Sequence, residues 1–351
     1  MAKAQVATNS FWPAVVRCGD ASTGVGLIRR KGVLTSHRLE LLGTFALCAA
    51  LLTGCATSST TSPRIRGPLP TSTIRALPGG TFYMLIGQQS DSENLWLFTN
   101  GGTERELTHN PEHYGISNFD ASRAGILIAN PIGGGVDQLE RLVSGGRTAA
   151  LNTGRGGHAI AGAISPTGTM ALLTVPYRGQ PWRIGLEETI SGPPMWIYSG
   201  IRSLSGPSQP SFGPGSRLAI VDPSQGTRPP PKILVHNKAS WHQVHTTIAN
   251  GNFVIMSPNG RQLLITTNNN RSGVLSVQDG TVKWLPKGWF GMVWSPNGAR
   301  ISAAMGSKLG IANAAEPGSV RTMGSFASGF GAAQIVWLLK PASLTKPAGQ
   351  T

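Results

Sequence analysis

The side chains that could do acid–base or metal chemistry are few and poorly grouped in this sequence. Acidic residues that lie close together in the sequence include Glu104 with Glu106, Asp137 with Glu140, and Glu187 with Glu188. Paired catalytic carboxylates would therefore have to come from distant parts of the fold. His242 and His245 would point to opposite faces of a strand. Pro111 opposes the helix that would bring His109 and His113 together. We expect no metal site, no cofactor and no catalytic residue.

Motifs for nucleophilic catalysis and phosphate binding are also missing. Gly162-Ala-Ile-Ser-Pro lacks the Gly-x-Ser-x-Gly pattern of a serine hydrolase. The segments Gly133-Gly-Gly and Gly154-Arg-Gly-Gly-His lack the Lys-Ser/Thr of a phosphate-binding loop. We interpret these glycines as hairpin turns.

Cysteine chemistry is concentrated near one end of the chain. Cys18 and Cys48 lie in a candidate targeting region, and Cys55 closes it. Basic residues at 29–38 precede the apolar run 41–53, which is the order found in a secretory signal peptide. The run is too short to span a bilayer comfortably. Cleavage before Cys55 would leave one thiol and no intrachain disulfide.

The segment Leu52-Thr53-Gly54-Cys55 resembles the bacterial lipobox. The resemblance implies that Cys55 receives a diacylglyceryl group and becomes the mature N-terminus, anchored in a membrane of the bacterial cell envelope and facing outside the cytoplasm. Residues 1–54 would then be the leader. A start near Val33 or Leu34 would give a leader of typical lipoprotein length, and the sequence leaves open whether residues 1–32 are translated. Residues 55–76, rich in Ser, Thr and Pro, are typical of a flexible tether.

Composition favours an all-β protein. The chain has 46 Gly and 25 Pro with 13% charged residues, which is typical of many short strands joined by tight turns. The formal net charge is +15, but beyond Arg29-Arg30-Lys31 the basic residues are mostly scattered singly. We therefore expect a basic surface near an anionic envelope, and no nucleic-acid partner.

One phrase recurs along the chain and predicts a hairpin each time. It occurs as Trp294-Ser-Pro-Asn-Gly, Met256-Ser-Pro-Asn-Gly and Ile164-Ser-Pro-Thr-Gly, with looser copies at Phe212 and Phe119. A large apolar residue, a turn and an apolar run form a strand–turn–strand unit. The intervals of 45, 48, 44 and 38 residues match the period of a four-stranded propeller blade.

These phrases, with Leu95-Trp-Leu-Phe-Thr-Asn-Gly-Gly, resemble the repeat of TolB-type β-propellers over roughly residues 77–340. The usual Asp of the turn is replaced by Asn259, Asn297 or Thr167. We expect one propeller over 77–340 followed by a tail at 341–351. Six blades are predicted, with seven left open, and the segment around Gln334-Ile-Val-Trp completes the first blade. The tryptophans interpreted as packing residues are Trp96, Trp196, Trp284 and Trp294.

The positions where the chain enters each first strand form the candidate binding site. His113 and His158 precede their repeat phrases by the same spacing, and Asn250 and Gly288 lie at the counterpart positions of later blades. Trp289, next to Gly288, completes the set of predicted contacts, His113, His158, Asn250 and Trp289. Such loop ends would ring one mouth of the channel. The alternative is that they form loop-capping hydrogen bonds.

The sequence thus predicts a binding module, not an enzyme. The TolB resemblance implies a protein, peptide or other envelope ligand as the partner, and the oligomeric state stays open. The alternative is a six-bladed lactonase- or lyase-like enzyme, for which only Asp120 and Glu112 are candidate Ca²⁺ ligands.

Overall fold

A computed structural model describes Ile74 and most of residues 78–344. The gaps are 89–90, 100–103, 109–114, 132–136, 145–146, 152–157, 176–180, 188–193, 201–206, 223–230, 238–239, 247, 249–250 and 328–329. The predicted leader and Cys55 lie outside the described residues. Within these ranges no helix has the length and hydropathy needed to cross a bilayer.

The described chain forms six four-stranded antiparallel sheets, the blades of a β-propeller. This confirms the predicted fold class. Blade 1 contains β1 (Thr81–Gln88), β2 (Asp91–Thr99), β3 (Glu104–Glu106) and the last strand, β24 (Phe330–Leu338). Blade 2 contains β4 (Asn118–Ser122), β5 (Gly125–Pro131), β6 (Asp137–Leu142) and β7 (Thr148–Ala150). Blade 3 contains β8 (His158–Ile164), β9 (Met170–Val175), β10 (Arg183–Glu187) and β11 (Met195–Ser199). Blade 4 contains β12 (Ser211–Phe212), β13 (Leu218–Asp222), β14 (Lys232–Asn237) and β15 (Ser240–Val244). Blade 5 contains β16 (Gly251–Met256), β17 (Gln262–Thr267), β18 (Ser272–Ser276) and β19 (Val282–Trp284). Blade 6 contains β20 (Phe290–Trp294), β21 (Arg300–Met305), β22 (Lys308–Asn313) and β23 (Val320–Ser325).

The ring is closed by the last strand, as the sequence predicts. Strand β24 pairs antiparallel with β1 from Thr81 opposite Leu338 to Gln88 opposite Phe330. Trp337 stacks on Phe82 with ring centroids 4.6 Å apart and donates a hydrogen bond to the Gly79 carbonyl. Blade 1 is therefore built from both ends of the described chain, which leaves no open sheet edge at the closure.

The innermost strand is the first strand in blades 2 to 6 and β24 in blade 1, and the shared direction of these strands gives the disc two distinct faces. We call the face where these strands end the turn face; it carries the inner turns 122–125, 165–169, 213–217, 257–262 and 295–300, and the segment 338–340. The opposite face, where the chain enters the innermost strands, is the loop face.

A separate hydrophobic cluster fills each of the six interfaces between neighbouring blades. Burial of a large apolar side chain contributes about 1.5–3 kcal/mol, so these clusters supply most of the favourable free energy. Trp96 and Trp294 belong to them, and Trp284 is partly buried against one. The prediction for Trp196 is wrong: it lies on the outer strand β11, is 38% exposed, and packs beside the Arg183 guanidinium.

The recurring Ser-Pro-Asn-Gly phrase is explained by hydrogen bonds within the turn. In blade 5 the Ser257 hydroxyl donates to the Asn259 side-chain oxygen and accepts from the Gln262 amide. Gly260 has a φ of 70°, which favours glycine. Ser295, Asn297 and Gly298 repeat this arrangement in blade 6. Asn replaces the usual Asp without loss because the turn needs only a side-chain oxygen as acceptor.

The copy assigned to Phe119 is displaced by two residues. Strand pairing makes Ala121, opposite Ile126, the equivalent of Ile164, opposite Met170. Ser122 then occupies the place of the Ser-Pro serine, and its hydroxyl donates to the Ser165 carbonyl of the next blade. Blade 2 lacks the Pro and Asn of the phrase. Aligning the phrase on the large apolar residue Phe119 therefore placed the turn two residues too early.

Candidate functional site

Of the four residues predicted to bind a ligand, the described ones, His158 and Trp289, lie at the loop face. His113 and Asn250 lie outside the described residues. His158 begins β8, where its backbone pairs with Val175, and its side chain is not among those described. Trp289 alone has a described side chain, so the structure brings no two of the four side chains together.

Trp289 is a core residue. It is 8% exposed and packs in the cluster between blades 5 and 6 with Leu264 and Ile301. The ring fits against β22 because Gly310 has no side chain; a Cβ there would lie 2.7 Å from the ring. The indole is thus unavailable to a partner on the loop face, and we do not propose it as a contact.

The described residues instead enclose a cavity that opens at the turn face. Its volume is about 600 Å³, within the range of small-ligand sites. Most of its wall is apolar and comes from the innermost strands and inner turns of several blades. Apolar lining residues include Phe212, Phe253, Met256, Met292, Trp294 and Trp337. Asp120, Gln209 and Gln334 supply polar groups deep in the cavity, and Arg123 and Lys340 lie at its mouth.

Two glutamines, which we call the glutamine bridge, cross the propeller axis. The Gln334 side chain accepts a hydrogen bond from the Phe119 amide (3.0 Å) and donates one to the Phe119 carbonyl (2.5 Å). Gln209 donates to the Gly162 carbonyl at 2.9 Å. Its side-chain oxygen lies 3.4 Å from the Gln334 amide nitrogen. The bridge therefore ties the innermost parts of blades 1 to 4 together and gives the cavity a polar floor.

Asp120 is the acidic side chain of the cavity wall. Its Oδ2 accepts a hydrogen bond from the Ile164 amide at 2.8 Å, which links blade 2 to blade 3. Ser211 makes the equivalent link, since its hydroxyl accepts from the Met256 amide at 3.0 Å. Burial raises the pKa of Asp120 from 3.8 to about 7, and the amides of Ile164 and Ala121 oppose this rise.

The raised pKa of Asp120 predicts a pH-dependent contribution to stability. The folded protein holds the Asp120 proton more tightly than the unfolded chain, so the free energy of unfolding should fall as pH rises from about 4 through 7. Asp120→Asn cannot ionise and keeps an oxygen for the Ile164 amide. Relative to wild type, it should therefore gain on the order of 2 kcal/mol between pH 5 and pH 8.

Urea unfolding at several pH values measures this difference. Other buried carboxyls contribute equally to both proteins and cancel. A difference in unfolding free energy between the two proteins that is independent of pH would contradict the prediction.

Side chains that could ligate a metal do not cluster among the described residues. No three His, Cys, Asp or Glu side chains in these ranges come close enough to share a metal ion. Glu187 is another buried carboxyl; neither of its oxygens has a hydrogen-bond partner, and burial raises its pKa to about 7. It ends β10 and does not line the cavity, so it does not pair with Asp120 there.

No family model matches the chain, and no curated protein is significantly similar to it. Solved structures do resemble it. TolB from Acinetobacter baumannii is 14% identical, with a TM-score of 0.57 over 75% of this chain and 67% of that one. A putative TolB from Agrobacterium tumefaciens is also 14% identical, with a TM-score of 0.50 over 74% of this chain and 99% of that one. At such identities the likeness concerns the fold alone, and this chain therefore has a TolB-like β-propeller fold.

Proposed function

We propose that this protein is a membrane-anchored, extracytoplasmic binding propeller that holds an apolar segment of an envelope protein or peptide, or another envelope ligand, in the turn-face cavity. The observation that carries the proposal is the cavity itself: apolar walls converge on a polar floor. A few fixed polar groups at the base of an apolar pocket are the usual composition of a recognition site.

The apolar walls of the cavity would contribute affinity, and its polar floor would contribute specificity. Half-buried side chains such as Phe253 and Met292 leave part of their surface free to pack on a ligand. Removing this apolar surface from water favours binding at roughly 25 cal/mol per Å². The amides of the glutamine bridge and the Asp120 carboxyl then select a ligand whose buried end offers hydrogen-bonding groups.

Anchoring is proposed on the sequence around Cys55. A lipidated Cys55 would hold the propeller at a bilayer surface outside the cytoplasm. The strand that follows the predicted tether, β1, begins at the turn face, because Thr81 lies opposite Leu338. The tether would thus join the disc on the same face as the cavity mouth.

A cavity-filling variant tests the binding proposal. Met292 is half-buried in the cavity wall, so Met292→Trp should occupy part of the space a ligand needs. Affinity purification from envelope extract, with mass spectrometry, should show partners retained by wild type and reduced at least tenfold by this variant. The matched control is Lys308→Trp, an exposed position at the start of β22 on the loop face. Partners retained equally by Met292→Trp, while that variant melts like wild type, would refute the proposed site.

A further inference from the structure

Basic residues surround the cavity mouth on the turn face. Five of the six inner segments of this face contain a Lys or Arg: Arg123, Arg217, Arg261, Arg300 and Lys340. None of the six contains Asp or Glu. These cations are scattered singly in the sequence, but the blade period brings them into one ring. The described acidic residues Asp279 and Glu316 lie on outer turns of this face, away from the mouth.

Hydrogen bonds hold part of this ring in place. Arg123 Nε donates to the Pro166 carbonyl of the next blade at 3.0 Å. Arg217 donates in the same way to the Gly260 carbonyl at 3.0 Å. Arg261, Arg300 and Lys340 are exposed. The face therefore presents a fixed positive rim with solvent-accessible cations.

Apolar groups protrude within the rim. Leu339 is 73% exposed and stands at the cavity mouth next to Lys340. Pro166, Pro214 and Pro258 are exposed on neighbouring inner turns. A positive rim around protruding apolar side chains is complementary to an anionic bilayer surface, where headgroups attract the cations and the acyl boundary accepts the apolar groups.

The path of the chain points to the same partner. Strand β24 ends and β1 begins at this face, so the segment leading back to Cys55 attaches beside the rim. We infer that the turn face docks on an anionic lipid surface, with the basic rim against the headgroups and Leu339 inserted between them. The inference deepens the proposed function, because docking would present the cavity to ligands at the membrane surface. It does not require a bound ligand.

Vesicle binding by a chain without the leader and Cys55 tests the inference. All six blades, their closure and all six core clusters lie between Ile74 and Leu344, so residues 56–351 keep every described contact. This protein should sediment with vesicles of phosphatidylcholine and phosphatidylglycerol, and not with phosphatidylcholine alone. Binding should weaken with salt, because the Debye length falls to about 3 Å at 1 M.

Matched variants then locate the docking face. Lys and Arg side chains near an anionic surface are attracted to its headgroups, so Arg261→Gln, Arg300→Gln and Lys340→Gln together should weaken binding at least tenfold. The control replaces three exposed loop-face lysines, Lys232, Lys287 and Lys308, by Gln, and should change binding less than twofold. Leu339→Ser should reduce the binding that remains at high salt.

The outcomes separate this inference from the proposed cavity function. Equal losses in the two triple variants, or no preference for phosphatidylglycerol, would overturn lipid docking. A turn-face triple variant that loses envelope proteins while no form of the protein binds vesicles would also overturn it, in favour of an acidic protein partner. Met292→Trp should leave vesicle binding unchanged, so failure of the cavity proposal appears in a different measurement.

Discussion

Deletion of residues 330–351 should abolish cooperative unfolding of the entire propeller, not of one blade. The deletion removes β24, the innermost strand of blade 1 and the full set of pairs with β1. It also takes Ala332, Ile335 and Trp337 from the cluster between blades 6 and 1, and Val336 from the cluster between blades 1 and 2. Each large core side chain is worth about 2–5 kcal/mol, and whole domains have about 5–15 kcal/mol of stability.

Thermal unfolding followed by circular dichroism and tryptophan fluorescence measures the effect. The truncated protein should show no sharp transition and should be cleaved rapidly by proteases. Deletion of residues 345–351, which leaves every described strand in place, is the matched control. If the long deletion melts at the wild-type temperature with the same cooperativity, β24 does not close the ring.

Cys55→Ser should eliminate acylation. The predicted modification needs a thiol at the end of the lipobox-like segment, and serine keeps the size of the side chain while removing that nucleophile. Growth with an alkyne-tagged fatty acid should label the wild-type protein and leave the variant at background. Each acyl CH₂ in the bilayer contributes about 0.8 kcal/mol, so loss of the chains should remove stable anchoring.

Cys48 supplies a control seven positions upstream. It lies within the apolar run, so Cys48→Ser should retain full labelling. Label that persists in Cys55→Ser, or disappears equally in both variants, would contradict lipidation at Cys55.

The architecture was predictable because each blade carries its own local signal. In the Ser-Pro-Asn-Gly phrase, the Ser257 and Asn259 hydrogen bonds form within a few residues and do not depend on the rest of the fold. Where those residues are absent, as around Phe119, the hairpin was still predicted but its register was two residues out. Hydrogen bonds within the turns therefore made the fold class predictable from the sequence. The register was predicted wrongly in the blade whose turn lacks the residues that form those bonds.

The cavity was not predictable in the same way, because its parts come from distant blades. Gln209 and Gln334 are separated by 125 positions, and neither belongs to a motif. A single polar residue in the otherwise apolar strand β24 was the available signal for Gln334. The burial of the Trp289 indole likewise depends on the space left by Gly310 on β22 of the same blade. Such information becomes visible only when the blades are assembled.

If the chain is exported as proposed, closure of the ring by β24 also sets the order in which the blades can be completed. Gly79 and Trp337, which meet at the seam, are 258 positions apart. Contacts this distant in sequence carry a large loop-closure entropy and form late in folding. A chain secreted from its N-terminus would deliver β1 first and its partner last. In such an export the first blade should remain incomplete until nearly the whole chain has crossed the membrane.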